Sequence, residues 1–257
     1  MSSLKSKLQA GKTVHGCWLN MGAALSAEMV SHAGFDWVLI DLEHGAGSEQ
    51  TLIPELQALE ASSVVPLVRV ESFQQARVQR VLDAGVKGVM FPRIRSAAEA
   101  REAISNMYYP PRGRRGLTTM SRANQFGKNF EDYFASSEKD LLGIIQIETK
   151  ECLDELDEIA AIDGVDVLFV GPADLSLSLG ILHQWDHPLF IEAVKATGAA
   201  ALKAGKAAGI LFPSPTQYDF YYQSGFRFIA CGSDSHFLKD AAFNMVSTLN
   251  EYRKKNQ

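Results

Sequence analysis

The sequence predicts an α/β fold, a closed (β/α)8 TIM barrel, from the order and the number of its segments. Short runs of β-branched and apolar residues alternate with longer segments whose apolar residues recur at helical spacing. Strict alternation implies parallel strands, because a crossover helix must return the chain between two such strands. Eight such units in 257 residues are typical of a closed barrel. We therefore expect one barrel domain that spans residues 1–257.

Eight strands carry this prediction, and a helical segment follows each of them. We expect the strands at residues 13–20, 36–42, 65–70, 87–94, 141–148, 165–171, 208–213 and 227–232. A doubly wound open sheet is the alternative, but that fold usually carries a G-x-G-x-x-G turn after its first strand. The segment NMGAAL, which follows the first predicted strand here, lacks that pattern.

Composition and charge narrow the class of protein. Hydrophobic residues make up 46% of the chain, which is enough for a large core, and the formal net charge is −5. The sequence shows no broad basic excess of the kind that binds nucleic acid. It contains no run of about 18 apolar residues, so we expect no membrane span. The three cysteines are an odd number without metal-like spacing, and they favour a reducing, cytoplasmic setting.

Ionisable residues stand where several predicted strands end. Asp41, Glu43 and His44 directly follow the apolar run of the second strand, in WVLIDLEHG. Glu148 ends the fifth strand, and Asp174 follows the sixth. The C-terminal ends of the strands form the catalytic face of a (β/α)8 barrel. We therefore expect these side chains to meet at one mouth.

The carboxylates of Glu148 and Asp174 suggest a metal site. They follow adjacent strands, and like charges that are brought together need a cation or raised pKa values. Two carboxylates suit a hard ion that keeps water ligands, Mg²⁺ or Mn²⁺. The alternative is that each carboxylate caps the following helix. No lysine stands at the C-terminal end of a predicted strand, so the sequence does not favour a Schiff-base aldolase.

Two further residues of the mouth have two interpretations each. His44 is either a general base or a hydrogen-bonded structural residue. Arg69, near the end of the third strand in VPLVRV, must find an anion. That anion is either a carboxylate of the protein, or a substrate carboxylate or developing oxyanion.

A set of short motifs runs in order along nearly the whole chain: GFDWVLIDLEHG, PLVRV, VLDAGVKGVMFP, YYPPRGRRG, IIQIETKECLDELDEIAAIDGVDVLFVGPADLSLSLG and GSD. In these motifs the sequence resembles the HpcH/HpaI family of metal-dependent pyruvate aldolases. The combination of D-x-E-H, Q-x-E and G-P-x-D at strand ends is specific, although each motif alone is weak. The segment TTMSRANQFG is most similar to the branch that acts on 2-keto-3-deoxy sugar acids, such as 2-keto-3-deoxyglucarate.

The resemblance implies a phosphoenolpyruvate/pyruvate-domain type of TIM barrel and a role for each matching residue. It assigns the divalent metal, Mg²⁺ or Mn²⁺ with Co²⁺ as a further candidate, to Glu148 and Asp174. It assigns catalysis to His44, Arg69 and Asp83, with Asp83 as the acid that pairs with His44. The residues that we expect around the substrate are Arg69, Gln146, Ala173, Asp174, Trp18 and Leu211.

The reaction implied by the resemblance is reversible cleavage of a 4-hydroxy-2-oxo acid, such as a 2-keto-3-deoxy sugar acid, to pyruvate and an aldehyde. We expect Arg69 to donate to the 2-oxo oxygen and His44 to take the proton of the C4 hydroxyl group. Asp41 and Gln146 would support these groups. Three arginines of the 110–140 connection could meet an acidic aldehyde, or could form interface ion pairs instead: Arg112, Arg115 and Arg122.

The resemblance also implies an assembly and leaves two other functions open. The expected assembly is a homohexamer, a trimer of dimers, in which the C-terminal helix at about 234–255 is exchanged between subunits. The expected partners are a small-molecule 2-oxo acid and an aldehyde. One alternative function is a citrate-lyase-like lyase that acts on an acyl-CoA thioester. The other is a catalytically inactive barrel that binds metal.

Overall fold

The computed structural model describes residues 3–212 and 215–256, which contain a closed barrel of eight parallel strands. The strands are β1 (Val14–Leu19), β2 (Trp37–Asp41), β3 (Val65–Arg69), β4 (Gly88–Phe91), β5 (Leu142–Ile147), β6 (Val167–Val170), β7 (Ala207–Phe212) and β8 (Phe226–Ser233). They pair in sequence order, and β8 closes the barrel on β1. The predicted (β/α)8 fold is therefore confirmed, and the barrel replaces the open-sheet alternative.

The predicted strands overlap the observed ones in all eight units and differ from them at the ends. The fourth strand, predicted to run to residue 94, ends at Phe91. Pro92 has no N–H group to donate to a neighbouring strand, and Arg93 has a positive φ of 55°, so neither residue continues the ladder. Pro213, the last residue of the predicted seventh strand, lies outside the described residues.

The described residues contain more helices than the one per strand that the alternation predicts. They are α1 (Leu4–Gln9), α2 (Ala24–Ser31), α3 (Glu49–Leu59), α4 (Gln75–Ala84), α5 (Ala97–Ser105), α6 (Phe130–Ser136), α7 (Lys150–Asp154), α8 (Leu156–Ala160), α9 (Pro172–Ser178), α10 (Pro188–Lys203), α11 (Tyr218–Gln223) and α12 (Asp234–Lys255). The added helices precede the barrel (α1), lie in the long connection before β5 (α6), or arise where two helices follow one strand. None of the described helices is both long and apolar enough to cross a membrane.

Large apolar side chains fill the interior of the barrel. The ring of Trp37 is stacked on Phe228 with 4.0 Å between centroids, and Trp18 contacts Phe169 at 5.4 Å. Gly16 lies against this stack, because a Cβ atom at that position would come within 2.1 Å of the Trp37 ring. The filled interior leaves the mouth, at the C-terminal ends of the strands, as the place for a site.

The C-terminal helix α12 is attached to the barrel mainly at its first residue. The carboxylate of Asp234 accepts hydrogen bonds from the backbone N–H of Asn20 at 2.8 Å and from the hydroxyl of Ser26 at 2.7 Å. Asp234 is the buried residue of this 22-residue helix. The rest of α12 exposes large apolar side chains: Phe237, Leu238, Phe243, Met245, Val246, Leu249 and Tyr252.

A buried carboxyl group lies on α3, near the junction of α2, α3 and α12. Glu55 is 1% exposed, and neither of its carboxyl oxygens has a hydrogen-bond partner among the described residues. Burial, together with the nearby charge of Asp234, raises the pKa of Glu55 to about 7. The folded protein therefore disfavours the ionised form of this side chain.

Replacement of Glu55 by glutamine should make the stability of the protein less dependent on pH. Between the ordinary pKa of 4.5 and the folded value of about 7, the folded wild type binds more protons than the unfolded chain. Its free energy of unfolding therefore falls as the pH rises through this window, by up to about 3 kcal/mol from this group. We expect Glu55→Gln to gain stability relative to wild type from pH 5 to pH 8 in urea denaturation.

The exposed acid Glu28 on α2 provides a matched control. Glu28→Gln should leave the difference between pH 5 and pH 8 as it is in the wild type. If Glu55→Gln follows the wild-type pH dependence as closely as this control does, then burial does not raise the pKa of Glu55.

Candidate active site

The mouth of the barrel brings together most of the residues predicted for the site. Asp41 is the last residue of β2 and Arg69 is the last residue of β3, and the two are directly paired in the parallel ladder. Gln146 lies in β5, Glu148 directly follows that strand, and Asp174 lies in the first turn of α9. Neighbouring strand ends thus present one arginine and a group of acids to the same space.

Asp41 organises the end of β2. It is buried, and its carboxylate accepts two hydrogen bonds from Arg69, from Nε at 2.9 Å and from Nη2 at 2.7 Å. The Oδ1 atom also lies 3.1 Å from the backbone nitrogen of Glu43 and 3.3 Å from that of His44, both of which donate to it. One carboxylate therefore holds both the guanidinium group and the turn that carries His44.

Arg69 is fixed on two sides by carboxylates. In addition to Asp41, the Nη1 atom lies 3.2 Å from a carboxylate oxygen of Glu43. Burial alone would lower the pKa of Arg69, but the hydrogen bonds that it donates to Asp41 and the charges of Asp41, Glu43 and Glu148 raise it above its ordinary value. The sequence allowed two kinds of anion as the partner of Arg69, a carboxylate of the protein or an anionic group of the substrate. The structure shows the protein carboxylates, and a role of Arg69 toward substrate stays a prediction.

Glu148 is a buried acid whose negative charge is only partly compensated by neighbouring groups. It is 3% exposed, and burial, together with the charges of Asp174 and Glu43, raises its pKa to about 7. One carboxylate oxygen accepts a hydrogen bond from the backbone N–H of Arg93. Among the described residues Glu148 has no direct ion pair with a lysine or arginine.

The groups around Glu148 could hold a divalent cation. A Cβ atom on Gly171 would come within 2.6 Å of Gln146 Nε2 and 2.9 Å of a Glu148 oxygen, so only glycine leaves this space open. The buried Oε1 atom of Gln146 has no hydrogen-bond partner in the described part of the chain. Within the same residues, no three His, Cys, Asp or Glu side chains form a metal-binding cluster by themselves. The donors suit an ion that takes its remaining ligands from water or substrate.

An apolar cavity of about 260 Å³ lies beside these acids, at the ends of β1, β6, β7 and β8. It contains the three residues that the sequence placed near the substrate on this side, Trp18, Ala173 and Leu211. Trp185, from the connection after α9, and His236, from α12, line it as well. From the sequence, no role was predicted for Trp185 or His236, because neither stands at the end of a predicted strand.

His44 and Asp83 lie in different parts of the chain. The side chain of His44 is 67% exposed, and its Nε2 atom is 3.9 Å from a Glu43 oxygen. Asp83 lies in the last turn of α4, where its carboxylate accepts a hydrogen bond of 2.8 Å from Arg115. Helix α4 begins near the mouth after β3 and ends near the opposite side of the barrel, before β4. The described chain does not bring the two side chains together, and the pairing of His44 with Asp83 stays a prediction.

The three arginines of the 110–140 connection that were considered for an acidic aldehyde form ion pairs within the chain. Arg112 binds the carboxylates of Asp163 and Glu138. Arg115 is buried against Asp83 and the hydroxyl of Tyr133. The remaining one, Arg122, contacts Glu60 and the backbone oxygen of Ala84.

Two residues of the mouth had no predicted role. Glu43 is 7% exposed and contacts Arg69, Arg93 and His44. The guanidinium group of Arg93 is 65% exposed and lies 3.2 Å from Glu43. A signal existed in the sequence, because Glu43 directly follows the predicted strand 36–42 and Arg93 lies near the end of the predicted strand 87–94, but position alone did not reveal what they contact.

Comparison with known proteins agrees with this geometry. The family model described as HpcH/HpaI aldolase/citrate lyase matches residues 15–241. The chain is 37% identical over 247 residues to a 5-keto-4-deoxy-D-glucarate aldolase of Shigella boydii serotype 18, and the match covers 96% of each chain.

Two solved structures extend the comparison to the fold. A HpcH/HpaI aldolase/citrate lyase family protein from Burkholderia cenocepacia J2315 superposes with a TM-score of 0.92 at 35% identity, covering 96% of this chain and 98% of the other. An HpcH/HpaI aldolase from Desulfitobacterium hafniense DCB-2 gives a TM-score of 0.90 at 29% identity, with 98% of both chains covered. The family predicted from the motifs is confirmed: the chain belongs to the HpcH/HpaI aldolase/citrate lyase family.

Proposed function

We propose that this protein is a divalent-metal-dependent aldolase that reversibly cleaves a 4-hydroxy-2-oxo sugar acid, of the 5-keto-4-deoxyglucarate type, to pyruvate and an aldehyde. The prediction of a carbon–carbon lyase of the aldolase class is confirmed by the family and by its aldolase relatives. The observation that carries the assignment of residues is the meeting of a doubly anchored Arg69 with the buried acid Glu148 at one mouth.

Glu148 and Asp174 would hold the cation, which we infer to be Mg²⁺ or Mn²⁺, with Co²⁺ as a further candidate. When bound, such an ion polarises the 2-oxo group of the substrate as a Lewis acid. The raised pKa of Glu148 supports this assignment, because the uncompensated negative charge around it favours a cation. Gln146, with its free buried carbonyl oxygen, would orient a water molecule or the substrate beside these carboxylates.

Arg69 would stabilise the negative charge that develops on the 2-oxo oxygen when the C3–C4 bond breaks. Its hydrogen bonds to Asp41 and its ion pair with Glu43 engage Nε and both terminal nitrogens, and they leave one N–H on each terminal nitrogen for the substrate. Because Asp41 fixes the group before the reaction, little reorganisation is needed as charge develops. The backbone N–H groups of Ala173 and Asp174, in the first turn of α9, would hold the substrate carboxylate.

His44 would take the proton of the C4 hydroxyl group in cleavage and return it in condensation. The imidazole is exposed at the mouth, and the backbone N–H of His44 is held by Asp41. We infer that Asp83 of a second copy orients this imidazole. Trp18 and Leu211 would enclose the apolar side of the substrate, since both line the 260 Å³ cavity.

We also infer that the subunit is one barrel domain whose C-terminal helix, α12, is exchanged between subunits of a homohexamer, a trimer of dimers. Helix α12 carries an exposed apolar stripe at helical spacing, formed by Leu238, Met245, Leu249 and Tyr252, and α2 exposes Leu25 and Met29. An exposed apolar stripe of this kind marks an interaction surface. We place the protein in the cytoplasm, because Cys17, Cys152 and Cys231 are free thiols.

The assignment of Arg69 predicts a loss of activity on its replacement. Pyruvate release from 5-keto-4-deoxy-D-glucarate, followed with lactate dehydrogenase, should fall by about 10²- to 10³-fold in Arg69→Ala, as for the loss of an oxyanion donor. Arg69→Lys keeps the charge beside Asp41 but loses the paired hydrogen bonds, and we expect an intermediate loss. Arg80→Ala, on the exposed side of α4, should act as the wild type does.

Activity assays of the wild-type protein distinguish between the functions that the sequence left open. Absence of pyruvate release from any 4-hydroxy-2-oxo acid, with Mg²⁺ or Mn²⁺ present, would contradict the proposal. Cleavage of an acyl-CoA thioester under the same conditions would favour the citrate-lyase-like alternative, and inactivity on both substrates would favour a barrel that only binds metal.

Binding of a cation should depend on pH through Glu148. Its carboxyl group keeps the proton below about pH 7, and a cation must displace that proton. The increase in melting temperature that Mn²⁺ causes should therefore be larger at pH 8 than at pH 6. It should disappear in Glu148→Gln and persist in Glu151→Gln, which changes an exposed acid of α7. An equal increase in melting temperature in both variants would show that the ion binds elsewhere. Removal of the ion with EDTA should abolish activity.

Disruption of the apolar stripe should dissociate the assembly. A charge in the stripe, in Leu249→Glu, would be buried without a partner in an exchanged helix. Light scattering after size exclusion should then give a mass below that of the hexamer. Asn250→Glu places the same charge at an exposed polar position of α12 and should leave the mass unchanged. A wild-type mass equal to that of one chain, 28.2 kDa, would refute the exchange.

A further inference from the structure

Arg93 occupies an unusual backbone position at the mouth of the barrel. It is not glycine, yet its φ is 55°, in the left-handed region that side chains with a Cβ atom rarely adopt. Residues held in this region concentrate at functional sites, where surrounding contacts maintain them. The contacts of Arg93 involve the ends of three other strands.

The backbone and the side chain of Arg93 are used separately. The backbone N–H donates to the carboxylate of Glu148, after β5. The guanidinium Nε lies 3.2 Å from a carboxylate oxygen of Glu43, after β2, and one Nη2 hydrogen is donated to the backbone oxygen of Glu71, after β3. The left-handed conformation allows one residue to reach the proposed metal ligand and to extend its cation over the mouth.

The guanidinium group of Arg93 retains donors for a ligand. Its side chain is 65% exposed, whereas Glu43 beneath it is 7% exposed. Of the five N–H groups of an arginine, one is donated to Glu71, and the one on Nε faces Glu43 in an ion pair. The remaining donors, on the two terminal nitrogens, have no hydrogen-bond partner in the described part of the chain.

The other arginines considered for an anionic substrate are already committed. Arg69 is buried between Asp41 and Glu43. Arg112 and Arg122 are paired with acids of their own chain, and Arg115 is buried against Asp83. Among these arginines, Arg93 combines an exposed guanidinium with a direct backbone contact to Glu148.

We propose that Arg93 binds the second carboxylate of a diacid substrate, the one that leaves with the aldehyde half. This inference rests on the proposed function. A keto-deoxy sugar diacid has two carboxylates, and the one next to the 2-oxo group belongs to the pyruvate half. The other is at the far end of the aldehyde half, and it needs a cation that is near the reacting bond but outside the group formed by Glu148 and Asp174. An arginine binds such a carboxylate through paired N–H groups.

Two three-carbon aldehydes that differ in this group provide the test. Tartronate semialdehyde carries a carboxylate where glyceraldehyde carries a hydroxymethyl group. In condensation with pyruvate, Arg93→Met should reduce kcat/KM for tartronate semialdehyde by about 10- to 100-fold, mainly through KM, as expected for lost hydrogen bonds to a charged group. The values for glyceraldehyde should stay within about threefold of wild type.

Two further variants keep the test decisive. Asparagine tolerates left-handed backbone better than methionine, so Arg93→Asn removes the charge with less risk to the fold. Arg95→Met removes a cation two residues away, from an exposed position of the same connection. It should leave kcat/KM unchanged for both aldehydes.

The outcomes separate the two proposals. An equal loss of kcat/KM for both aldehydes would show that Arg93 only positions Glu148 or neutralises Glu43. An unchanged kcat/KM for both would show that Arg93 does not contact the substrate. Either result would overturn this inference while leaving the aldolase in place. If the wild type condenses pyruvate with neither aldehyde and releases none from the sugar acid, the proposed function itself fails.

Discussion

The buried ion pair between Asp41 and Arg69 is the contact on which the mouth of this barrel depends. The two residues are paired in register at the ends of β2 and β3, and two hydrogen bonds join their side chains. Removal of either partner would leave an uncompensated charge in a buried position, which is strongly unfavourable. Each side chain therefore fixes the other. Through the backbone N–H groups of Glu43 and His44, the same carboxylate also sets the turn that follows β2.

Around this pair the mouth holds more buried negative charge than positive charge. Burial raises the pKa of both Glu43 and Glu148, and the neighbouring acids raise the pKa of Glu148 further. Arg69 and Arg93 reduce this imbalance on the side of Glu43. On the side of Glu148 a backbone N–H group is the main compensation. The proposed cation belongs on that second side for this reason, and the proposed role of Arg93 uses the charge that remains at the rim.

Several features of the chain make better sense in an assembly than in one copy. The exposed apolar stripe of α12 has no cover within the described residues, and the buried residue of that helix is Asp234 at its start. Asp83 lies at the end of α4 that is remote from the mouth, so its proposed contact with His44 needs a neighbouring copy. Both observations support the inference that the complete site forms between subunits.

The sequence by itself determined the barrel, the order of its strands and the residues at their ends. Strict alternation leaves few folds, and every strand end was found within a few residues, so the positions of Asp41, Arg69 and Glu148 could be predicted. Only the tertiary structure decided which groups these residues contact. The contact of Arg93 with Glu148 spans 55 residues, and that of Arg115 with Asp83 spans 32. Periodicity reports the face on which a side chain lies, whereas such contacts depend on the twist and closure of the whole sheet.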